Sequence, residues 1–118
     1  MNEICTSLEQ SQKLIELGID VNTADMCYLD GDDNDYQVKD GTLDYEDIPA
    51  WSLSALSKFI PPSIMDDNGN VYKFYLSKDG INRWVAYYKS DNVSIHICEE
   101  SYNMIDVIFE MVCWLLEN

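Results

Sequence analysis

The C-terminal segment SYNMIDVIFEMVCWLLEN restricts the fold of this chain more than any other stretch. Ile105, Ile108, Phe109, Val112, Leu115 and Leu116 recur at the i, i+3, i+4, i+7 spacing of a helix, and Met104, Val107, Met111 and Trp114 make a second apolar stripe beside them. Only Asp106, Glu110, Cys113 and Glu117 form a narrower polar line. A helix apolar round most of its circumference needs cover on more than one side. It is either the central element of one core or, through its second stripe, a seam between two copies of the chain. The expectation is a monomeric core with the helix mostly buried, with a weak homodimer as the alternative.

The cover must come from the rest of 118 residues, which suffice for a single domain over 1–118 with one core. Residues 71 to 98 read as a three-stranded antiparallel meander, VYKFYLS, NRWVAYYK and VSIHIC, within a sheet of up to five strands. A three-residue Lys78-Asp79-Gly80 loop aligns Phe74 with Trp84 and Tyr72 with Ala86, whereas a two-residue loop would set Phe74 opposite Val85. The first register gathers the larger apolar groups and is preferred. A two-residue Asp91-Asn92 turn then adds Tyr88, Ile95 and Ile97 to the same face, which Leu76 also joins.

At the other end, Thr6 and Glu9 have the spacing of a capping box, and Leu8, Leu14, Ile15 and Leu17 continue a helix from about Ser7 to Leu17. Gly18 suits the left-handed position after it, with Ile19 folding back on Leu14 in a Schellman ending. A second, short helix spans roughly Ser52 to Phe59, with Asp47 or Ser52 as its cap and Pro61-Pro62 as its stop. Leu53, Leu56, Phe59 and Ile60 share its apolar face. Residues 20 to 50 read as irregular, although MCYL and DYQV can each make a short strand. The fold class is therefore α+β: an antiparallel meander packed on a long C-terminal helix, with an N-terminal and a short central helix.

The segments ICTSLEQSQKLIELGIDVNTADM, IPAWSLSALSKFIPP and IDVIFEMVCWLLEN, in this order, resemble a family of small uncharacterised proteins of gut bacteria and their phages or mobile elements. The resemblance implies no activity, cofactor or catalytic residue that can be carried over. Residues 28 to 47 and 66 to 98 share least in it.

Charge narrows the function classes. With 22 acids against 7 bases the net charge is -15, which repels nucleic-acid phosphate and anionic lipid. Direct nucleic-acid and membrane binding are thereby disfavoured, and no apolar run has the length of a membrane helix. The start MNEICTSLEQ has neither the basic nor the apolar region of a signal peptide, so a soluble cytoplasmic protein is expected. Cys5, Cys27, Cys98 and Cys113 show no CxxC and suit reduced, structural thiols.

Several site chemistries start and then fail. Asp30, Asp32 and Asn34 stand at positions 1, 3 and 5 of a calcium loop, but Asp35 replaces the turn glycine and Gly41 the closing glutamate. A solvated acidic hairpin is expected, with a looser oxygen cage through Asp33, Asp35 or Asp40 as the alternative. His96, the one histidine, lies two residues from Cys98, so both project from the same side of a strand at roughly 7 Å, too far for direct proton transfer. Zinc-ligand spacing, a singular carboxylate pair and the glycine-rich phosphate loops are likewise missing from the sequence. No catalytic residue, cofactor or metal is assigned.

What remains is an asymmetry. Asp25 to Asp47 holds nine acids and one base, with Asp30, Asp32, Asp33, Asp35, Asp40 and Asp44 as its acidic surface, while Val71 to Cys98 holds four bases and two acids. In the preferred register Lys73, Tyr75, Arg83, Val85, Tyr87 and His96 share the sheet face turned away from the helix. Aromatic and arginine groups on such a face suit recognition of another protein; the bland reading is a half-solvated face partly covered by residues 20 to 50. The expected function is noncatalytic protein binding, as an accessory factor of a phage or mobile element, with a basic partner. The alternatives are a nucleic-acid mimic that inhibits a host DNA-binding or defence protein, and a small enzyme using His96.

Overall fold

A computed structural model of the chain describes residues 4–32, 36–38, 46–78, 83–91, 94–97 and 103–117, with the side chains of 94–97 outside the description. The chain is α+β. The C-terminal helix runs over Met104–Glu117, and we label it α3, with α1 at Leu8–Glu16 and α2 at Leu53–Ser57. Strands β1 (Met26–Tyr28), β2 (Tyr36–Val38) and β3 (Ile48–Ala50) form one antiparallel sheet in the order β2-β1-β3. Strands β4 (Ser63–Met65), β5 (Val71–Lys78), β6 (Trp84–Lys89) and β7 (Ser94–Ile97) form a second in the order β4-β5-β6-β7.

Both stripes of α3 are used within one chain. Ile105, Ile108 and Val112 pack with Leu14, Ile19, Ala24, Trp51, Ala55 and Leu56, so this side is covered by α1, the segment that follows it, and α2 with the residue that leads into it. Val107 and Met111 pack with Tyr72, Ala86 and Tyr88 of the larger sheet, and Trp114 and Leu115 extend that contact. The helix thus divides two apolar clusters. The polar line turns to α1: the Gln10 amide donates to Asp106 at 2.8 Å and Lys13 reaches Glu117 at 3.4 Å, while Cys113 packs against the first cluster.

The ending of α1 follows the sequence signals. Gly18 has φ +94°, its N–H donates to Ile15 O at 3.0 Å, and the Ile19 N–H donates to Leu14 O at 3.1 Å, the two bonds of a Schellman motif. The start is shifted by one residue. Ser7, not Thr6, is the cap, and its capping box closes with Gln10 rather than Glu9. The reason is that Thr6 is committed elsewhere. Its N–H donates to Trp51 O at 2.9 Å, its hydroxyl accepts from the Trp51 N–H at 3.1 Å and pairs with the Ser11 hydroxyl at 2.8 Å, and its carbonyl accepts from the Tyr28 hydroxyl at 2.8 Å. Thr6 joins the N-terminal segment to the chain entering α2. There, Ser52 caps α2 and also bonds the Asp25 carboxylate through both its N–H and its hydroxyl.

Three expectations need correction. Residues 20 to 50 are not irregular throughout, because β1 and β2 form where MCYL and DYQV suggested and are joined by β3, which the sequence reading did not anticipate. Pro49 hid it, since proline removes a ladder donor, but β3 is an edge strand where that loss is tolerated. Second, β5 and β6 pair as Phe74↔Tyr88, Leu76↔Ala86 and Lys78↔Trp84, a slip of four residues from the expected alignment of Phe74 with Trp84. An even slip keeps every side chain on its face. It sets Phe74 against Tyr88, ring centroids 5.4 Å apart, and the longer connection costs little extra closure entropy. Third, Lys89↔Ser94 matches a two-residue turn, but an irregularity between Tyr88 and Lys89 then moves the register to Tyr88↔His96 and Tyr87↔Ile97. His96 is therefore opposite Tyr88 in the ladder and not aligned with Tyr87, as the shared outer row required. A β-bulge, by inserting one residue, makes this kind of shift.

Candidate functional site

The larger sheet has an inner face spent on α3 and an outer face that the described residues leave open. Period-two alternation puts Tyr72, Phe74 and Leu76 of β5 inward with Ala86 and Tyr88 of β6, and Val71, Lys73, Tyr75 and Ser77 outward with Val85, Tyr87 and Lys89. Strand β4 adds an outer row, since Met65 pairs with Val71 and Ser63 with Lys73. Met65 is 68% exposed, Val71 50% and Tyr75 44%.

Pairing organises this face. Tyr75 lies opposite Tyr87 with the rings stacked, centroids 5.4 Å apart and planes 19° apart. In the next row Lys73 lies directly opposite Lys89. Both lysines border a groove of about 630 Å³ that is also lined by Gly69, Asn70, Val71, Tyr75, Ser90 and Asp91. On the opposite, inner side of the sheet, at its far end, Lys78 sits 5.4 Å over the Trp84 ring, a cation–π contact.

One wall of the groove is the tight connection of β4 to β5, residues 66 to 70, DDNGN. Asp66 organises it. One carboxylate oxygen accepts from the Asn68 and Asn70 amides at 2.9 Å each, and the other from the Asn70 side chain at 3.0 Å and the Tyr72 hydroxyl at 3.1 Å. Gly69 has φ +86°, a conformation open to glycine without strain. The Asn70 side-chain and backbone bonds hold the Asp66 carboxyl below its ordinary value, with those of Tyr72 and Asn68 adding to the effect against an opposing push from burial. Burial, then the Asp66 bond and charge, push the Tyr72 phenol up. The wall is thus a fixed, hydrogen-bonded structure.

Of the residues singled out for protein recognition, Lys73, Tyr75 and Tyr87 come together on this face. Arg83 has the parity of Val85 and Tyr87 but lies at the far end of the face, half-buried just before β6, roughly 13 Å along the strand from Tyr87 and about 20 Å from Lys89. The side chain of His96 and the whole of Cys98 lie outside the described residues, and with them the thiol–imidazole pair. Lys89, Met65 and Val71 were missed. Finding Lys89 required the register; Met65 and Val71 were signalled by DDNGN, a turn sequence between two short β-prone runs.

Of the acidic surface, Asp30 and Asp32 are exposed, while Asp33, Asp35, Asp40 and Asp44 lie outside the described residues. Asp30 has φ +54° and its N–H donates to the Asp47 carboxylate at 3.0 Å. Among the described residues no three His, Cys, Asp or Glu side chains are grouped to hold a metal ion, and no helix is long and apolar enough to cross a membrane. Cys5 and Cys27 are buried; Cys113 is half-buried between α1 and α3. Burial first, then the Glu117 and Glu110 charges against the opposing Lys13, push the Cys113 thiol up to about 11.

The architecture is that of an α+β protein which, among the described residues, presents an open aromatic and cationic sheet face. Compared with family models, with curated proteins and with solved structures, the chain has no match in any of the three.

Proposed function

We propose that this is a noncatalytic protein that acts by binding another protein through the outer face of the β4–β7 sheet. The observation that carries the reading is the run of Met65, Val71 and Tyr75, each exposed by 44% or more, beside the Tyr75–Tyr87 stack. Methionine and aromatic groups supply much of the contact in interface cores, and a rigid sheet presents them with little ordering entropy to lose. The net charge of -15 favours a partner whose surface is basic overall and speeds its encounter, an attraction that weakens with salt. The resemblance to proteins of phages and mobile elements supports an accessory role in such an element, acting in the cytoplasm as a monomer.

The test is capture of partners from a bacterial lysate at low salt on wild-type protein and two variants. Tyr75→Glu on the outer face should lose the captured partner. Leu116→Glu, at an exposed apolar position of α3, should retain it. Loss with Leu116→Glu and retention with Tyr75→Glu would move the interface to another surface. The same charge, with Asp30 and Asp32 exposed, supports a second reading in which the acidic surface mimics nucleic acid. Under it, double-stranded DNA should displace the captured partner from the wild type, and Tyr75→Glu should leave capture intact.

A further inference from the structure

The least expected feature of the outer face is the Lys73–Lys89 pair. Like charges directly opposite on one face of an antiparallel ladder destabilise it. In this chain acids outnumber bases 22 to 7, so surface lysines are not short of acidic partners. Yet among the described residues the ion pair formed is Lys13 with Glu117, and the side chain of neither Lys73 nor Lys89 makes a salt bridge or hydrogen bond to a described residue. Lys78, on the same strand, has found the Trp84 ring. Lys73 and Lys89 are thus two of the seven bases, placed side by side along one groove and left to face solvent, with Asp91 on the groove's rim.

We propose that this groove takes a carboxylate side chain of the partner protein, so that the docked segment carries an aspartate or glutamate next to an apolar or aromatic residue. The inference rests on the protein-binding reading of the outer face and adds the chemistry of the bound segment. The two ammonium groups supply the charge complement, and hydrogen bonds from them to a carboxylate are of the charge-assisted kind. The neighbouring Val71, Met65 and Tyr75 supply the apolar contact. The flanking residue has to be apolar because a long acidic run would meet the repulsion of the whole chain, whereas a single carboxylate within a Debye length of two lysines is governed by them. A groove of about 630 Å³ has room for one such side chain and its neighbour, not for a folded element.

A displayed library of random dodecapeptides, selected on the wild-type protein and rescreened on variants, tests this. The expected result is enrichment of peptides with Asp or Glu adjacent to an apolar residue, whose binding falls about tenfold in Lys73→Gln and in Lys89→Gln, the loss of one charge-assisted hydrogen bond. Circular dichroism should show all variants folded, since both lysine side chains are exposed. Peptides that lack acids, are indifferent to the lysine variants and are lost in Tyr75→Ser would overturn the carboxylate proposal while sustaining the outer-face reading. Peptides indifferent to all three variants, or no enrichment at all, would overturn both. Binding that inorganic phosphate at millimolar concentration abolishes, with no preference for an acidic peptide, would assign the lysines to a free anion and overturn the proposal.

Discussion

Replacing Thr6 by valine should destabilise the protein by about 3 kcal/mol although it keeps the shape of the side chain. Thr6, Ser11 and Trp51 are each fully buried, so neither water nor a surface group is at hand to compensate. Valine would strip the Trp51 N–H of the hydroxyl it donates to at 3.1 Å and the Ser11 hydroxyl of its partner at 2.8 Å. A buried polar group left without a partner costs about 1–3 kcal/mol. Two such groups give about 2–6 kcal/mol, with the lower half favoured because a helical serine can turn back to its own backbone. Thr6→Ser, which keeps the hydroxyl and removes one methyl, should cost only about 1 kcal/mol. In urea unfolding followed by tryptophan fluorescence, with a slope of about 2 kcal/mol/M, Thr6→Val should lower the midpoint by about 1.5 M and Thr6→Ser by about 0.5 M. Adding Ser11→Ala to Thr6→Val should recover part of the loss, since it removes one of the two orphans. A valine variant no less stable than the serine variant would refute the reasoning, because packing and not hydrogen bonding would then dominate at this joint.

Gly18→Ala should cost about 1–2 kcal/mol through backbone strain alone, because φ is +94° and no atom lies within 4 Å of an added Cβ; a thermal melt should show it, with Gly18→Asn losing less. The 66–70 connection should be pH-sensitive at low pH. The folded Asp66 carboxyl titrates below its ordinary 3.8, so its contribution is fully present above that value and is lost as pH falls through the lowered one. The amide resonances of Asn68 and Asn70 should report the transition, and Asp66→Asn should abolish it. Cys113, with a thiol near 11 against an ordinary 9.0, should react roughly a hundredfold more slowly with a maleimide at pH 8 than a model cysteine, and urea should remove the difference.

Local signals were legible where their energetics are local. The two stripes of α3 announced a helix covered on two sides, since nothing but burial satisfies ten apolar positions on one helix. The Schellman ending at Gly18 could be read because its bonds join residues a few positions apart and its φ excludes most side chains. The cap of α1 was misread by one residue because Thr6 answers to Trp51 and Ser11, and only the folded chain brings Trp51 there. The same holds for the candidate site. Alternation placed Lys73, Tyr75 and Tyr87 on one face in the preferred register and in the observed one, because a slip of four preserves parity. Which lysine meets which depends on the slip itself, and that was decided by Phe74 packing on Tyr88 above Val107 and Met111. Met65 became part of the face only when β4 joined the sheet. The sequence by itself determined which residues are inside and where the chain turns, since these follow from side-chain hydrophobicity and backbone geometry at each position. The tertiary structure alone decided that two lysines of an acidic chain stand opposite one another, because cross-strand pairing is settled by the packing of the other face.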